Sequence, residues 1–399
     1  MTPETDGGSL PRLCYVGNVP VEASIHGSAL MWRLLEPYPK DKLLIVECEH
    51  RSKPEGRLPG VRYERADMHG SRLLFSRAAP YALPFLFRFS RLLAGPVRRR
   101  VEEFRPQAIL TVAHELYWKV ASEIAGRLEI PLHLIVHDAV LQMVPPSSRL
   151  RPDVEAAFAR VYSSAASRLC ISPYMAQEFQ TRYGTQGTVL YPSRARLGAK
   201  FDAPPERLGV ARSNLTAAFA GSIYPSYATG FVQLARELRT TGGRLLIFGL
   251  TDRVALERMG LALDNVEFRG MVSSEELKVQ CRNEADFLFV PMSFRETERL
   301  SMEICFPSKL ADYTAIGCPL LIRGPSYCSA VRWARANPST SEIVDTEDSD
   351  SLKRALNSLE DPETRWRLGT EALRVGERYF SASRATQILD DALLNGNAK

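Results

Sequence analysis

Thirteen short apolar runs, separated by helix-like or polar stretches, recur along almost the whole 399-residue chain, and this alternation restricts the fold more than any other feature. Strands that are apolar throughout must be covered on both faces, so runs of this kind joined by crossover helices predict parallel sheets. The predicted strands are residues 13–17, 43–48, 61–65, 108–113, 132–136, 168–171, 188–191, 215–220, 245–248, 266–268, 287–290, 320–322 and 343–344.

The alternation stops once, at a polar, proline-containing stretch near residues 192–214, and then restarts. We therefore predict an α/β protein of two Rossmann-like, doubly wound parallel-sheet domains that face a central cleft. The predicted bounds are 1–193 for the first domain, 194–214 for a linker, 215–375 for the second domain and 376–399 for a C-terminal helix crossing back to the first. Open parallel sheets bind ligands beyond the carboxyl ends of their strands, so the cleft is the expected site.

Composition excludes several classes of protein. With 45% hydrophobic and 24% charged residues, the chain is neither disordered, fibrous nor a small disulfide scaffold. Its first residues lack the basic-then-apolar pattern of a secretory signal, and no apolar stretch is long enough to span a bilayer. Seven cysteines, an odd number without CxxC pairs, predict reduced thiols in a cytoplasmic protein and no zinc site.

Several familiar catalytic motifs are absent. The chain has no Walker phosphate loop, no GxGxxG after a strand, no GxSxG elbow and no HExxH. Asp348-Ser349-Asp350 has the D-x-D pattern of metal-dependent sugar transferases. It stands in a run of acids just before a predicted helix, which favours helix capping instead. We expect no metal site.

The most informative segment is FPSKLADYTAIGCPLLIRGP, residues 306–325. Lys309 and Asp312 are three residues apart and would share one face of a helix that Ser308 can cap. A helix N-terminus and a lysine together favour a phosphate, and a carboxylate one turn further in can accept hydrogen bonds from a ribose. The alternative is an ordinary capped helix with a solvated Lys–Asp pair.

This segment resembles the nucleotide-sugar signature P-x-K-L-x-E-Y-x-A-x-G-x-P of the family-4-type retaining glycosyltransferases, which belong to the GT-B superfamily. Other pieces resemble motifs of the same family, in the same order, over roughly residues 12–325. These pieces are Val136-His137-Asp138, Ile171-Ser172-Pro173, Val189-Leu190-Tyr191-Pro192, Phe219-Ala220-Gly221-Ser222, Leu246-Ile247-Phe248-Gly249, Asn265-Val266-Glu267-Phe268-Arg269-Gly270 and Ala285-Asp286-Phe287 through Pro291.

The resemblance implies a retaining, metal-independent transferase that moves a sugar from a nucleoside-diphosphate sugar to a glycan, a lipid-linked sugar or a small molecule. No further cofactor is implied, because positive side chains and helix ends would neutralise the leaving diphosphate. The donor would lie on the second domain and the acceptor on the first. The implied catalytic residues are His137 and Glu303. The implied donor-binding residues are Gly17, Gly221, Ser222, Gly249, Gly270, Ser308, Lys309 and Asp312, with diphosphate or acceptor contacts from His114, Arg295, Arg299, Gly27 and Ser28.

The chain departs from the family pattern in two ways. The family has two glutamates eight positions apart, whereas here Asp312 stands in the second place and Ile304 in the first. Either a local insertion shifts Glu303, one position off register, into the first place, or Glu296 or Glu298 on the preceding loop takes it. No basic residue follows Gly221 before Arg236, so the second positive contact on the diphosphate is left to Arg295 or Arg299. These departures favour the alternative of a catalytically silent GT-B protein that binds a sugar nucleotide or acts as a scaffold.

Charge is distributed unevenly along the chain. Residues 1–200 carry 27 basic and 19 acidic side chains, whereas residues 201–399 carry 24 and 27. The excess of basic side chains lies in residues 51–105, which hold 13 basic and 5 acidic side chains. Within this stretch, residues 78–104 are rich in aromatic and arginine side chains. This pattern predicts peripheral contact with an anionic membrane, on its inner face. The alternative is a core-packed helix pair with a basic solvated face. No nucleic-acid partner is expected, because no recognition module is present.

Overall fold

The computed structural model describes residues 9–23, 26–144, 148–250 and 253–396, with the backbone alone at His26, Gln142, Met143 and Arg253. Residues 1–8 and 397–399 of the predicted domains lie outside these ranges. The chain forms two compact units. Unit 1 contains the described residues up to Pro192 and those from Ala382 onward, and unit 2 is Ser193–Ser381.

Unit 1 is built on a seven-stranded sheet in which every pairing is parallel. Its strands are β1 (Leu13–Gly17), β2 (Leu43–Glu47), β3 (Arg62–Arg65), β4 (Ala108–Val112), β5 (Leu132–Val136), β6 (Ser167–Cys170) and β7 (Thr188–Val189). The strand order is β3-β2-β1-β4-β5-β6-β7, so the chain reverses its direction of travel across the sheet between β1 and β4. The crevice at such a switch point is where doubly wound sheets bind ligands.

The central strands β1, β2, β4 and β5 are buried at every residue, which explains their continuous apolar sequences. Six helices of unit 1 precede the linker region: α1 (His26–Leu35), α2 (Ala79–Leu93), α3 (Gly95–Phe104), α4 (Tyr117–Leu128), α5 (Arg151–Ser164) and α6 (Pro173–Tyr183). Local signals define α6 well, since Ser172 caps it by accepting a hydrogen bond from Met175 N and left-handed Gly184 ends it.

Unit 2 repeats the arrangement with six parallel strands in the order β10-β9-β8-β11-β12-β13. The strands are β8 (Thr216–Ala220), β9 (Arg244–Phe248), β10 (Val266–Gly270), β11 (Phe287–Pro291), β12 (Leu320–Arg323) and β13 (Ser341–Val344). Its helices are α7 (Ala228–Thr240), α8 (Arg253–Arg258), α9 (Ser274–Glu284), α10 (Arg299–Ile304), α11 (Lys309–Tyr313), α12 (Ser329–Ala336), α13 (Ser349–Glu360) and α14 (Pro362–Phe380).

The last helix, α15 (Ala382–Gly396), returns to unit 1, where Leu389 and Leu393 join the core on one face of the sheet. Residues 194–214, predicted as a linker, belong to unit 2. Arg194 donates to the carbonyls of Ala311 and Thr314, and Arg207 pairs with the buried Asp286 at 3.0 Å.

All thirteen predicted strands are present, with bounds shifted by two residues at most. The capping interpretation of the D-x-D sequence is confirmed, because the Asp348 carboxylate accepts a hydrogen bond from Ser351 N at 2.7 Å at the start of α13. All seven cysteines lie in described ranges and none forms a disulfide. Among the described helices, none combines the length and apolar character needed to cross a membrane.

Candidate functional site

Three glycines stand side by side where β8, β9 and β10 end, and we call them the glycine edge: Gly221, Gly249 and Gly270. All three have positive φ, at 135°, 152° and 69°. Gly249 N donates to Gly270 O at 2.8 Å, and a Cβ on Gly249 would lie only 2.3 Å from Gly221 O. Side chains are therefore excluded at Gly249, and the edge presents bare backbone to any ligand beyond the strands.

Lys309 places its ammonium group beside this edge. Its Nζ lies 4.8 Å from the centroid of the Phe219 ring, and a Cβ on Gly221 would be 3.6 Å from the same atom. Burial lowers the pKa of Lys309 to about 8. Among the described residues, no carboxylate forms an ion pair with it. A partly buried cation without an anionic partner is suited to binding an anionic ligand.

Helix α11 is anchored to β8 through Tyr313, whose Oη accepts a hydrogen bond from Ala220 N at 2.6 Å. The expected cap from Ser308 is wrong. Ser308 already has helical backbone angles, its side chain makes no capping hydrogen bond, and the first turn starts at the Pro307 carbonyl. Burial lowers the pKa of the Arg194 guanidinium, and the carboxylates of Glu377, which pairs with it at 3.1 Å, and of the partly buried Asp312 oppose that shift.

The segment after β11 holds the predicted residues Arg295, Arg299 and Glu303. Arg299 and Glu303 pair with each other at 2.9 Å on the surface of α10, and the Arg299 guanidinium covers the Tyr327 ring at 4.5 Å. The exposed Arg295 instead donates to the carbonyl of Pro225 at 3.4 Å, in the loop that follows Gly221. Arg295 is thus the arginine of this segment that contacts the loop beyond the glycine edge, where Ser222 also lies.

The glycine edge is bordered by exposed apolar side chains that the sequence analysis missed. Tyr224, Leu250 and Met271 follow Gly221, Gly249 and Gly270 by one to three residues, and each is more than half exposed. The signal was available, because each large apolar residue comes just after a strand-ending glycine. Such side chains offer a flat group, for example a nucleobase, an apolar surface.

In unit 1, His114 and His137 come together at the ends of β4 and β5, with ring centroids 6.1 Å apart. His137 Nε2 lies 3.4 Å from Asp138 Oδ2, and burial lowers the pKa of His137. Candidate ligand atoms of these three residues lie within 4.8 Å of one another, an arrangement that can hold a divalent cation. The predicted absence of a metal site therefore needs an experimental test.

The predicted glycines of unit 1 differ in their surroundings. Gly27 and Ser28 are in the first turn of α1, and a Cβ on Gly27 would lie 3.4 Å from His137 Cε1, so this turn packs against the imidazole. A Cβ on Gly17 would lie 2.5 Å from the hydroxyl of Tyr15. The Tyr15 ring accounts for glycine at position 17, and a donor contact there stays a prediction.

A group that the sequence analysis missed spans the switch point of unit 1, and we call it the acidic edge: Asn18, Glu49, His50 and Glu115. The Asn18 amide donates to the Glu115 carboxylate, and His50 Nε2 lies 3.7 Å from Glu115 Oε1. Glu49 and Glu115 both have positive φ, at 62° and 46°. Burial, and then the charge of Glu115, raise the pKa of Glu49 to about 7. Strained, titratable side chains at a switch point are typical of functional sites.

The sequence of this chain matches no family model and no curated protein. Its structure is similar to those of several solved proteins. HepE of Anabaena, crystallised with UDP and glucose, aligns over 96% of this chain and 99% of its own at 14% identity and a TM-score of 0.65. Sucrose-phosphate synthase of Thermosynechococcus elongatus aligns over 94% and 97% at 14% identity and a TM-score of 0.63. A glycosyltransferase of Rickettsia africae aligns over 96% and 98% at 12% identity and a TM-score of 0.60.

The fold is GT-B. The two parallel sheets, of seven and six strands, and the near-complete coverage of both chains establish it. Identities of 12–14% establish the fold alone. The GT-B expectation from the sequence is confirmed, whereas membership of the family-4-type group stays a prediction.

Proposed function

We propose that this protein is a glycosyltransferase that moves a sugar from a nucleoside-diphosphate sugar to an acceptor, which is a glycan, a lipid-linked sugar or a small molecule. One observation carries the proposal. The partly buried ammonium of Lys309 lies beside the bare glycine edge, with no carboxylate paired to it among the described residues. A diphosphate is a ligand that would neutralise this cation and accept hydrogen bonds from backbone amides.

Each part of the donor has a candidate partner in unit 2. The diphosphate would contact Lys309, with Arg295 supplying the second positive charge from the loop at Pro225. The base would pack on Tyr224, Leu250 and Met271, and Asp312 would accept hydrogen bonds from the ribose. Fixed positive charge beside the leaving diphosphate stabilises the charge that develops as the sugar–phosphate bond breaks. This supports metal-independent transfer.

The acceptor would bind to unit 1, at the acidic edge and the adjacent pair His114 and His137. Carboxylates at the switch point can accept hydrogen bonds from sugar hydroxyls, and a histidine beside them can contact the donor sugar or the reacting centre. Retention of the anomeric configuration is proposed from the resemblance of residues 306–325 to the retaining family. The complexes of HepE with UDP and UDP-glucose make uridine nucleotides the first donors to test.

A second candidate is a catalytically silent protein that binds a sugar nucleotide. The ion pair between Arg299 and Glu303 favours this candidate. Glu303 is the carboxylate nearest to the position of the family's first glutamate, and here it is held in a contact on the surface of α10. In this case unit 2 would bind the nucleotide as described, and no sugar would be transferred.

The test is a screen of UDP-, GDP- and ADP-sugars with glycan and lipid-linked acceptors, in buffer containing EDTA. Released nucleoside diphosphate is measured, and the anomeric configuration of the product is determined by NMR. A retained product in EDTA is the expected result, and an inverted product or a strict metal requirement would contradict the corresponding part of the proposal. Nucleotide binding without release from any donor would favour the silent binder. If no nucleotide binds, both candidates are wrong.

A further inference from the structure

Unit 1 exposes an unusual group of large apolar side chains around α2, and we call it the α2 face. Fifteen large hydrophobic residues are exposed among those described, and six of them fall within residues 73–92. The six, with their exposed fractions, are Leu73 (49%), Phe75 (66%), Tyr81 (84%), Phe85 (55%), Phe89 (40%) and Leu92 (76%). Single exposed hydrophobic residues are normal on soluble proteins, but a continuous group of this kind marks a contact surface.

Helix α2 is apolar on two sides. Ala82, Leu86 and Ser90 are buried, with Ser90 donating to Glu123 of α4 at 2.9 Å. The other side carries Tyr81, Phe85 and Phe89 at four-residue spacing, with the rings of Phe85 and Phe89 4.9 Å apart, and the exposed Leu92 follows a break in the helical backbone angles at Phe89. The buried side accounts for the packing of α2 in unit 1. The second apolar side has no partner among the described residues.

The charges around this face have one sign. From residue 68 to residue 101 the chain has seven arginines and no aspartate or glutamate. Arg72, Arg77, Arg88 and Arg91 are exposed and form no ion pair with any described carboxylate. Two arginines at the end of the stretch differ, since Arg98 pairs with Glu102 and Arg100 with Glu64 and Glu103, whereas the exposed Arg99 between them forms no ion pair with a described carboxylate.

We propose that the α2 face docks on an anionic lipid bilayer. Aromatic and aliphatic side chains would enter the interface between headgroups and acyl chains, while the four free arginines contact phosphate groups. Charge complementarity favours an anionic bilayer over a second copy of this chain as the partner. A stretch with arginines and no carboxylate is attracted to a polyanionic surface and repelled by a second copy of itself. We therefore place the docking surface at residues 72–92 instead of the predicted 78–104, and Arg98, Arg99 and Arg100 of α3 lie beyond it.

The α2 face adjoins the acidic edge. The ring of Phe75 lies 6.0 Å from that of His50, in an edge-on arrangement, and His50 is the neighbour of Glu115. A molecule with its polar end at Glu115 and an apolar tail along Phe75 and α2 would follow this path. The acceptor is therefore lipid-linked, a conclusion that rests on the proposed function, whereas bilayer docking does not.

The docking test is co-sedimentation of the full-length protein with vesicles of phosphatidylcholine alone and of phosphatidylcholine with about one third phosphatidylglycerol. The wild type is expected to bind the anionic vesicles, and raised salt is expected to weaken the binding. Phe85→Glu with Leu92→Glu should lower the affinity at least tenfold. Leu197→Glu with Val210→Glu, equally exposed residues of unit 2, is the matched control and should leave it unchanged.

A second pair of variants separates specific arginines from net charge. Arg88→Gln with Arg91→Gln should weaken vesicle binding by about fivefold per arginine, whereas Arg98→Gln with Arg100→Gln removes the same charge and should change it less than twofold. Equal losses from the two pairs would overturn the proposal. The proposal would also be wrong if the wild type did not bind anionic vesicles. A dimer in sedimentation velocity that the double variant Phe85→Glu, Leu92→Glu converts to monomer would equally overturn it.

Nucleotide affinity is measured on the same variants by calorimetry. It reports whether each variant is folded, and it tests the donor site separately. Vesicle binding without any nucleotide binding would leave membrane docking standing and remove the basis for a lipid-linked acceptor.

Discussion

The two units share one strand order through their first six strands, yet their carboxyl edges are built in opposite ways. In unit 2 the positive-φ positions at the ends of β8, β9 and β10 are glycines, and one lysine supplies the charge. In unit 1 the positive-φ positions after β2 and β4 are glutamates, with histidines beside them. Left-handed backbone is unfavourable for glutamate, so both positions in unit 1 carry backbone strain.

This difference separates two kinds of recognition. Bare amides and a cation suit a ligand that brings its own negative charge, such as a diphosphate. Carboxylates and imidazoles suit a ligand with hydroxyl groups, and they can accept or release protons. Under the proposed function, the edge of unit 2 would bind the donor and the edge of unit 1 the acceptor.

The largest effect is expected from adding a side chain to the glycine edge. In Gly249→Ala the new Cβ would lie 2.3 Å from the Gly221 carbonyl, at a φ of 152° that alanine rarely adopts. We expect a loss of about 2–4 kcal/mol in the free energy of unfolding and no detectable nucleotide binding. Chemical denaturation and calorimetry measure the two. Gly209→Ala, where a Cβ has open space, is the control and should change stability by less than about 0.5 kcal/mol.

The next effect concerns the charge at that edge. Lys309→Met should weaken binding of a nucleoside diphosphate about 100-fold, or about 2.8 kcal/mol, because the diphosphate loses a desolvated cationic partner. The pKa of Lys309 in the folded protein, about 8, lies below the unfolded value of 10.5. Its charge therefore opposes folding at pH 7, and the penalty is relieved as pH rises from 8 to 10.5.

The ligand-free Lys309→Met protein should accordingly have a Tm at pH 7 equal to or above that of the wild type. Lys353→Met, which removes an exposed lysine paired with Asp350, is the matched control. It should alter neither Tm nor nucleotide affinity. A destabilised Lys309→Met protein would mean that the lysine serves packing rather than a ligand.

A smaller effect, confined to turnover, is expected in unit 1. Glu115→Gln keeps the size of the side chain beside Asn18 and His50 but removes its charge. We expect the transfer rate to fall by about 10- to 100-fold, with the affinity for nucleoside diphosphate unchanged within twofold. Glu129→Gln is the control, since Glu129 also has positive φ but lies at the exposed end of α4. Equal losses of activity in both variants would show that backbone strain, and not the acidic edge, is responsible.

The smallest effect is a pH dependence of stability. Burial raises the pKa of Glu49 in the folded protein to about 7, against 4.5 when unfolded, so its charge opposes folding above pH 7 and the penalty is relieved as pH falls from 7 to 4.5. Glu115, Asp67, Arg51 and Tyr117 are the groups that act on it. Glu49→Gln should therefore raise Tm more at pH 8 than at pH 5. A gain of equal size at both pH values would contradict this assignment.

The central strands could be predicted because burial on both faces of a parallel sheet demands continuous apolar runs, and that requirement is local; the edge strands β3 and β10 are less buried and less apolar. Helix α6 has a weak apolar period, and its ends are instead marked locally by Ser172 and Gly184. Helices α2 and α3 entered only as an alternative. The sequence of α2 has apolar residues on two sides of the helix. Which side is buried depends on α4, which is distant in sequence, so the exposed side could not be predicted.

The sites were less predictable, because their geometry depends on residues far apart in sequence. The sequence placed Lys309 and Asp312 on one helix face, but Phe219 and Arg194, about 90 and 120 residues away, determine their surroundings. Asn18 and Glu115 are 97 residues apart and meet only through the strand order. Conversely, the four-residue spacing of Arg299 and Glu303 favours the ion pair that forms, and that local signal was overlooked.

The most direct test of the account is calorimetric titration of wild type and Lys309→Met with UDP, GDP and ADP at pH 8.5, in buffers of different ionisation enthalpy. The diphosphate is fully ionised at this pH, while a lysine with a pKa of about 8 is mostly neutral. We predict that at least one nucleoside diphosphate binds the wild type with a net uptake of protons, because the bound diphosphate favours the charged form of the lysine. Lys309→Met should lose both the affinity and the uptake. Equal affinity and equal proton uptake in the two proteins, or no binding of any nucleoside diphosphate, would contradict the account.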